Sequence, residues 1–138
     1  MRRLDSLICL CGMVALSLAG CGPASDGPPL HSVSGAVTFA GEPIADGEIR
    51  FIAADGKRID AGKIDAGQYR VQTSIGKKRV EVYAVRKDPN KLIPSAIEPG
   101  KHEPATEMYI PAKFNEKSEL TADIAAGGKK GLDFTLAK

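Results

Sequence analysis

The chain has 138 residues, enough for one ordinary domain, with 19 basic and 17 acidic side chains and a formal net charge of +2. The two signs are interspersed along the chain without blocks, so the basic stripe that marks a nucleic-acid partner is missing. Aromatic residues make up 5% and tryptophan is absent, which leaves little from which to build stacking platforms for bases or sugars.

The N-terminus has its own composition. Arg2 and Arg3 are followed by an apolar stretch from Leu7 to Leu18, broken only by small residues. A membrane-spanning helix needs about 20 apolar residues to cross a core of about 30 Å. The stretch is shorter than that and fits the apolar region of a secretory signal. Asp5 is an unusual neighbour for such a segment. All 3 cysteines, Cys9, Cys11 and Cys21, lie here, so the remainder of the chain offers neither a disulfide framework nor a thiolate nucleophile.

Leu18-Ala19-Gly20-Cys21 resembles a bacterial lipobox: an aliphatic residue, two small residues, then cysteine. The resemblance implies that the thiol of Cys21 takes a diacylglyceryl group, that residues 1–20 are removed as a lipoprotein signal peptide, and that the new amine is acylated. Several chains on one residue anchor stably, where one binds reversibly. The implied location is the cell envelope, on a bacterial membrane. Residues 21–32, rich in Gly, Pro and Ser, read as the lipidated cysteine and a flexible tether.

From Val33 the pattern has period two. Gly35, Val37 and Phe39 alternate with Ala36, Thr38 and Ala40; residues 41–47 are punctuated by Gly and Pro; Ile49, Phe51 and Ala53 then alternate with Glu48, Arg50 and Ile52. Asp55-Gly56 is a hairpin signal. A weaker strand spans residues 58–64, Asp65-Ala66-Gly67 turns the chain, and Tyr69 and Val71 share one face. Val80, Val82 and Ala84 line one face of a strand from Lys78 to Arg86. Leu120, Ala122 and Ile124 alternate, Gly127-Gly128 turns, and Leu132, Phe134 and Leu136 alternate to the end. Helix is the competing assignment for residues 116–126, and the two-residue spacing favours strand. Turn signals about 8 to 12 residues apart predict an all-β sandwich or barrel over residues 33–138. The interruption is residues 87–108, a long connection holding Pro89, Pro94, Pro99, Pro104, Gly100 and His102. A connection of that length is either mobile or a recognition loop.

Four stretches add a resemblance. "VSGAVTFAGEPIADGEIRF", "AGKIDAGQYRV", "IPAKFNEKSELTADI" and "GLDFTL" occur in this order and cover nearly all of the chain after the tether. Together they resemble the small transthyretin-like, or carboxypeptidase-regulatory-like, domains of lipoproteins from planctomycete-type bacteria. The resemblance implies a seven-stranded antiparallel β-sandwich of the prealbumin-like kind and supplies no catalytic residue. Asp-Ala-Gly in the second stretch and Gly-Gly-Lys-Lys before the last depart from the family's turns.

Little chemistry is legible. His31 and His102 are too few and too scattered to form a metal centre, and no metal or cofactor is expected. His102, Glu103 and Glu107 are the candidate binding residues, as a weak cation site. Ser74, Ser95 and Ser118 sit at turns without a recognisable base and orienting group. Asp55, Asp60 and Asp65 fit turn chemistry. Tyr69, Tyr83 and Phe114 fit packing roles, and Phe39, Phe51 and Phe134 the core. The chain ends in "FTLAK" and lacks the Tyr-Arg-Gly-Ser stretch of transthyretin-like hydrolases. The expectation is therefore a non-catalytic, lipid-anchored module. It would meet an envelope protein or glycan through sandwich loops, a strand edge or residues 87–108. A small-molecule or cation carrier, or a hydrolase on this scaffold, is the alternative.

Overall fold

Alternating side chains force a strand to offer one face to a core, and seven strands of this chain do so around a single cluster. The computed structural model describes residues 27–138. The expected leader, Cys21 and residues 22–26 of the expected tether lie outside the described residues. The strands are β1 (Leu30–Phe39), β2 (Glu42–Pro43), β3 (Asp46–Ala53), β4 (Ile59–Asp65), β5 (Gln68–Ser74) and β6 (Gly76–Tyr83). They continue with β7 (Val85–Pro94), β8 (His102–Met108), β9 (Thr121–Ile124), β10 (Lys129–Lys130) and β11 (Phe134–Leu136). The fold is all-β; a 3₁₀ turn at Ala112–Phe114 is the one helical element among the described residues.

The main sheet runs β10-β1-β5-β4-β3-β6-β9, with β2 and β11 also paired to β1. Every pairing is antiparallel except those of β1 with β10 and β11. The parallel pair arises because the C-terminal segment returns along the free side of β1 in the same direction. β4 follows β3 along its whole length but meets β5 only at Ile64↔Tyr69 and Asp65↔Gln68. The sheet therefore turns over at that hairpin. Val33 and Leu136 from one end of the path and Ala122 and Ile124 from the other fall in one buried cluster with Ile49, Phe51, Val80 and Val82. Phe51, Tyr69 and Phe134 bridge the two ends, with ring centroids 6.0 to 6.4 Å apart in tilted and edge-on arrangements.

Two hairpins close on Ala-Gly pairs in the left-handed region: Ala40 (φ 54°) with Gly41 (φ 87°), and Ala66 (φ 47°) with Gly67 (φ 78°). Two positive φ values in a row give a type I′ geometry, which matches strand twist. Asp65-Ala66-Gly67 thus turns the chain as its sequence predicts, with Ala66 carrying the strain of a Cβ in that region. At Gly35 the backbone of Leu132 comes so close that a Cβ would lie 2.1 Å from its carbonyl oxygen. That oxygen accepts the Tyr69 hydroxyl at 2.7 Å.

Several expectations need correcting. β1 starts at Leu30, so residues 30–32 are strand rather than tether, because His31 and Ser32 pair with Thr73 and Gln72 of β5. The strand expected over residues 78–86 ends at Tyr83, with Ala84 as a joint before β7. Residues 87–108 are no unstructured connection; they form most of a two-stranded sheet, β7 with β8. Asp60 serves no turn: it accepts from Arg58 at 2.9 Å and from Thr73 at 2.7 Å inside the body. Asp55 behaves as expected, accepting the Lys57 N–H at 3.0 Å in its own turn. Strand is the outcome at Thr121–Ile124, where Ala122 and Ile124 face the core.

Candidate functional site

The β7–β8 arm grows from the far end of β6. Its base is seated by Tyr109, whose ring meets Phe39 edge-on at 5.8 Å while the Arg86 guanidinium lies 5.6 Å from the Tyr109 centroid. Arg86 also donates to Glu107 across the ribbon at 2.7 Å. Both strands of a two-stranded ribbon are edges, so prolines, which donate no N–H, are tolerated there. Between Asp88 and Leu92 the register slips, and Pro89, Asn90 and Lys91 bulge out with the Asn90 N–H bonded to the Asp88 carboxylate at 2.9 Å.

The tip is an ordered turn. The Ser95 hydroxyl accepts from the N–H groups of Ile97 and Glu98 at 3.2 Å each. The Ser95 N–H donates to the Lys101 carbonyl at 2.8 Å, and the Lys101 ammonium pairs with Glu98. Gly100, at φ +83°, supplies the left-handed residue that closes the turn.

Directly paired residues share a face. One face of the arm carries Leu92 beside Pro104 and Pro94 beside His102, with Val85 beside Met108 at its base. The other carries Arg86 with Glu107, Asp88 with Ala105 and Ile93 with Glu103. Leu92 is 60% exposed and Ile97, at the tip, 86%. The arm is thus an apolar-tipped ribbon with both edges unpaired among the described residues.

The three binding residues expected from sequence lie on this arm but do not converge. Glu103 and Glu107 are on one face, about 13 Å apart at the usual rise per residue; His102 is on the other face, beside Pro94. Glu107 is already paired with Arg86. No three His, Cys, Asp or Glu side chains gather around a possible cation among the described residues. Sequence reasoning weighed the charges in this segment and passed over Leu92, Ile93 and Ile97. Their signal was faint, since prolines flank them and no alternation extends beyond them.

An open cleft of about 560 Å³ lies elsewhere, bordered by Lys63, Gln68, Tyr69, Arg70 and Asp133. Two of its polar groups serve the fold. Asp133 accepts the Ala36 N–H at 2.8 Å, standing in for a ladder bond, and Tyr69 is tied to Leu132. Burial pushes the Tyr69 phenol well above its ordinary value, and the Asp133 carboxylate adds to this. On the outer face of β3 and β6, Arg50 lies 4.4 Å from the Tyr83 ring centroid, and Glu81 pairs with Arg79 at 2.9 Å. Glu81 also accepts the Tyr83 hydroxyl at 2.9 Å. Burial, with the bond to Glu81, raises the Tyr83 phenol as well.

No family model matches the chain, and no curated protein matches it in sequence. Among solved structures it is similar to a 9R-lipoxygenase from Cyanothece PCC8801, at 13% identity and a TM-score of 0.35. That match takes in 85% of this chain and 18% of the lipoxygenase. Likeness at that level carries no argument about fold or activity.

Proposed function

We propose that this chain is a non-catalytic, lipid-anchored module of a bacterial cell envelope, with a transthyretin-like β-sandwich body that binds an envelope protein through the β7–β8 arm. The observation that carries the reading is the arm itself: an ordered ribbon with two open edges and an exposed aliphatic tip. Open edges offer N–H and C=O groups to an added strand, and Leu92, Ile93 and Ile97 offer apolar contact beside them. Soluble proteins seldom leave such a combination uncovered.

The position of the arm supports the same reading. Leu30 opens β1 opposite Ser74, at the end of the body where β6 begins. The arm leaves from the other end of β6, about 25 Å away at the usual rise per strand residue. An anchor at Cys21, just ahead of Gly27, would leave the arm directed outward.

Two measurements test this. Intact mass of the membrane-extracted protein is expected to show a lipid-modified chain beginning at Cys21; an unmodified soluble chain overturns the anchor. A photoreactive residue at position 97 is expected to give envelope-protein adducts in cells that the same residue at position 72, on the outer face of β5, does not give. Equal adducts at both positions, or none at 97, overturn the arm as the contact surface.

A further inference from the structure

Exposed lysines without a carboxylate partner occur at both ends of the body. At the arm end, Arg86 is paired with Glu107, Lys101 with Glu98, and Lys63 lies 3.5 Å from Asp46, while Lys87 and Lys91 on the ribbon are exposed with no carboxylate within 4.0 Å among the described residues. At the end where the chain enters, Lys57, Lys77 and Lys129 are exposed and none has a carboxylate within 4.0 Å among the described residues. The register brings them together: Lys77 is the second residue of β6, beside Asp123, Lys129 pairs with Val33 near the start of β1, and Lys57 is in the β3–β4 turn. Asp55 and Asp123 are the acids there; Asp55 is held by its own turn, and Arg58 is matched to Asp60.

The same end exposes aliphatic side chains. Leu30 is 45% exposed at the first position of β1, Ile75 53% exposed in the turn between β5 and β6, and Ile59 56% exposed at the first position of β4. Unpaired lysines around protruding aliphatic residues suit one kind of surface. Aliphatic side chains enter the headgroup region to a depth of about 5–10 Å, and the lysines meet anionic headgroups. The chain outside the described residues joins the body at this end.

We infer that the chain-entry end of the body is a lipid-contacting face that seats on an anionic membrane surface through Leu30, Ile59, Ile75 and the lysines around them, holding the arm away from the membrane. The inference rests on the anchor reading for its location, and its test separates the two. A merely tethered body would tumble above the membrane; a seated one has a fixed orientation.

The chain has no tryptophan, so a single introduced one reports its own surroundings. Full chains carrying Ile75→Trp or Ile97→Trp are placed in vesicles of phosphatidylglycerol and brominated phosphatidylcholine. The expected result is bromine quenching of the tryptophan at 75 and not at 97. The quenching at 75 is expected to be lost in Lys57→Glu/Lys77→Glu/Lys129→Glu, and reduced by salt that shortens the screening length to about 4 Å. Quenching at neither position in a vesicle-bound, lipid-modified chain overturns the seating and leaves the anchor intact. Quenching at 97 in place of 75 overturns it too, and points to insertion of the arm. A chain without lipid that still floats with the vesicles, is quenched at 75 and is released by the lysine reversals overturns the anchor and supports the seating. A chain without lipid that does not float overturns both.

Discussion

The body and the arm are both β-structure made from one chain, yet they are held together differently. In the body, strands far apart in sequence share one core: Phe51 and Val80 are fully buried, and Phe134 reaches them from near the C-terminus. In the arm, β7 and β8 pair chiefly with each other, and only Ala105 is buried. A two-stranded ribbon is marginal in water unless something packs on it. The arm is steadied at its base by Tyr109 and Arg86 and at its tip by Ser95, with no core between. The contrast teaches that regular hydrogen bonding and stability are separate properties.

The contrast is broken most directly by removing bulk from each region. Phe51→Ala is expected to cost about 3–5 kcal/mol in denaturant unfolding, because it empties the centre of the aromatic cluster. Leu92→Ala on the arm is expected to stay within about 0.5 kcal/mol of the parent. Amide exchange in the same samples is expected to be much faster over β7 and β8 than over β5 and β6. Equal costs for the two variants, or equal protection, would remove the distinction.

A smaller effect sharpens the account of the seam on which the body closes. Tyr69→Phe deletes the hydroxyl that reaches the Leu132 carbonyl and is expected to cost about 1 kcal/mol at neutral pH. The pH dependence has a definite sign. The phenol ionises at higher pH in the folded chain than its ordinary 10.0, so the stability it lends is complete below about pH 10. It is lost as the pH climbs from there toward the folded-state value. Tyr83 and Tyr109 are shifted in the same direction by burial. Thermal melts from pH 8 to 11 are expected to show a fall above pH 10 that is shallower in Tyr69→Phe. An unchanged slope would mean that this group does not drive the fall.

The smallest effect is a gain. Ala66→Asn places a residue that tolerates the left-handed region at the first corner of a type I′ turn and is expected to stabilise the body by about 1 kcal/mol or less. A loss of stability, measured by the denaturant midpoint, would mean that Ala66 makes contacts there that outweigh its backbone strain.

Much of the body was legible because its strands are half buried, and half burial writes period two into a sequence. Ile49 and Phe51, Tyr69 and Val71, Val80 and Val82 all fall on the face that the alternation assigns to the core. The arm was not legible, because neither of its faces meets a core and nothing constrains its side chains to alternate. Four prolines then made residues 87–108 look like a connection, whereas in a ribbon made of two edges proline obstructs nothing. Asp60 was misassigned for a related reason. Its spacing suits a turn, and only the approach of Thr73 from β5 and Arg58 alongside turns it into a half-buried acceptor within the sheet.

The candidate site divides in the same way. His102, Glu103 and Glu107 are close in sequence, but residues one apart on a strand point to opposite faces, so closeness in sequence could not bring them to one cation. Leu92, Ile93 and Ile97 became visible only once the ribbon set them at the end of an exposed arm.

Composition, turn residues and alternation were enough, by themselves, to specify an all-β chain and most of the side chains that its core buries, because these depend on local backbone preference and on the water-avoiding face of each strand. The parallel return of β10 and β11 beside β1, the close approach that requires Gly35, the separation of the chain-entry end from the arm, and the exposure of the arm's tip were decided by the tertiary structure alone. Each is a relation between segments far apart in the chain, fixed by how the faces stack around one core, and no local pattern records it.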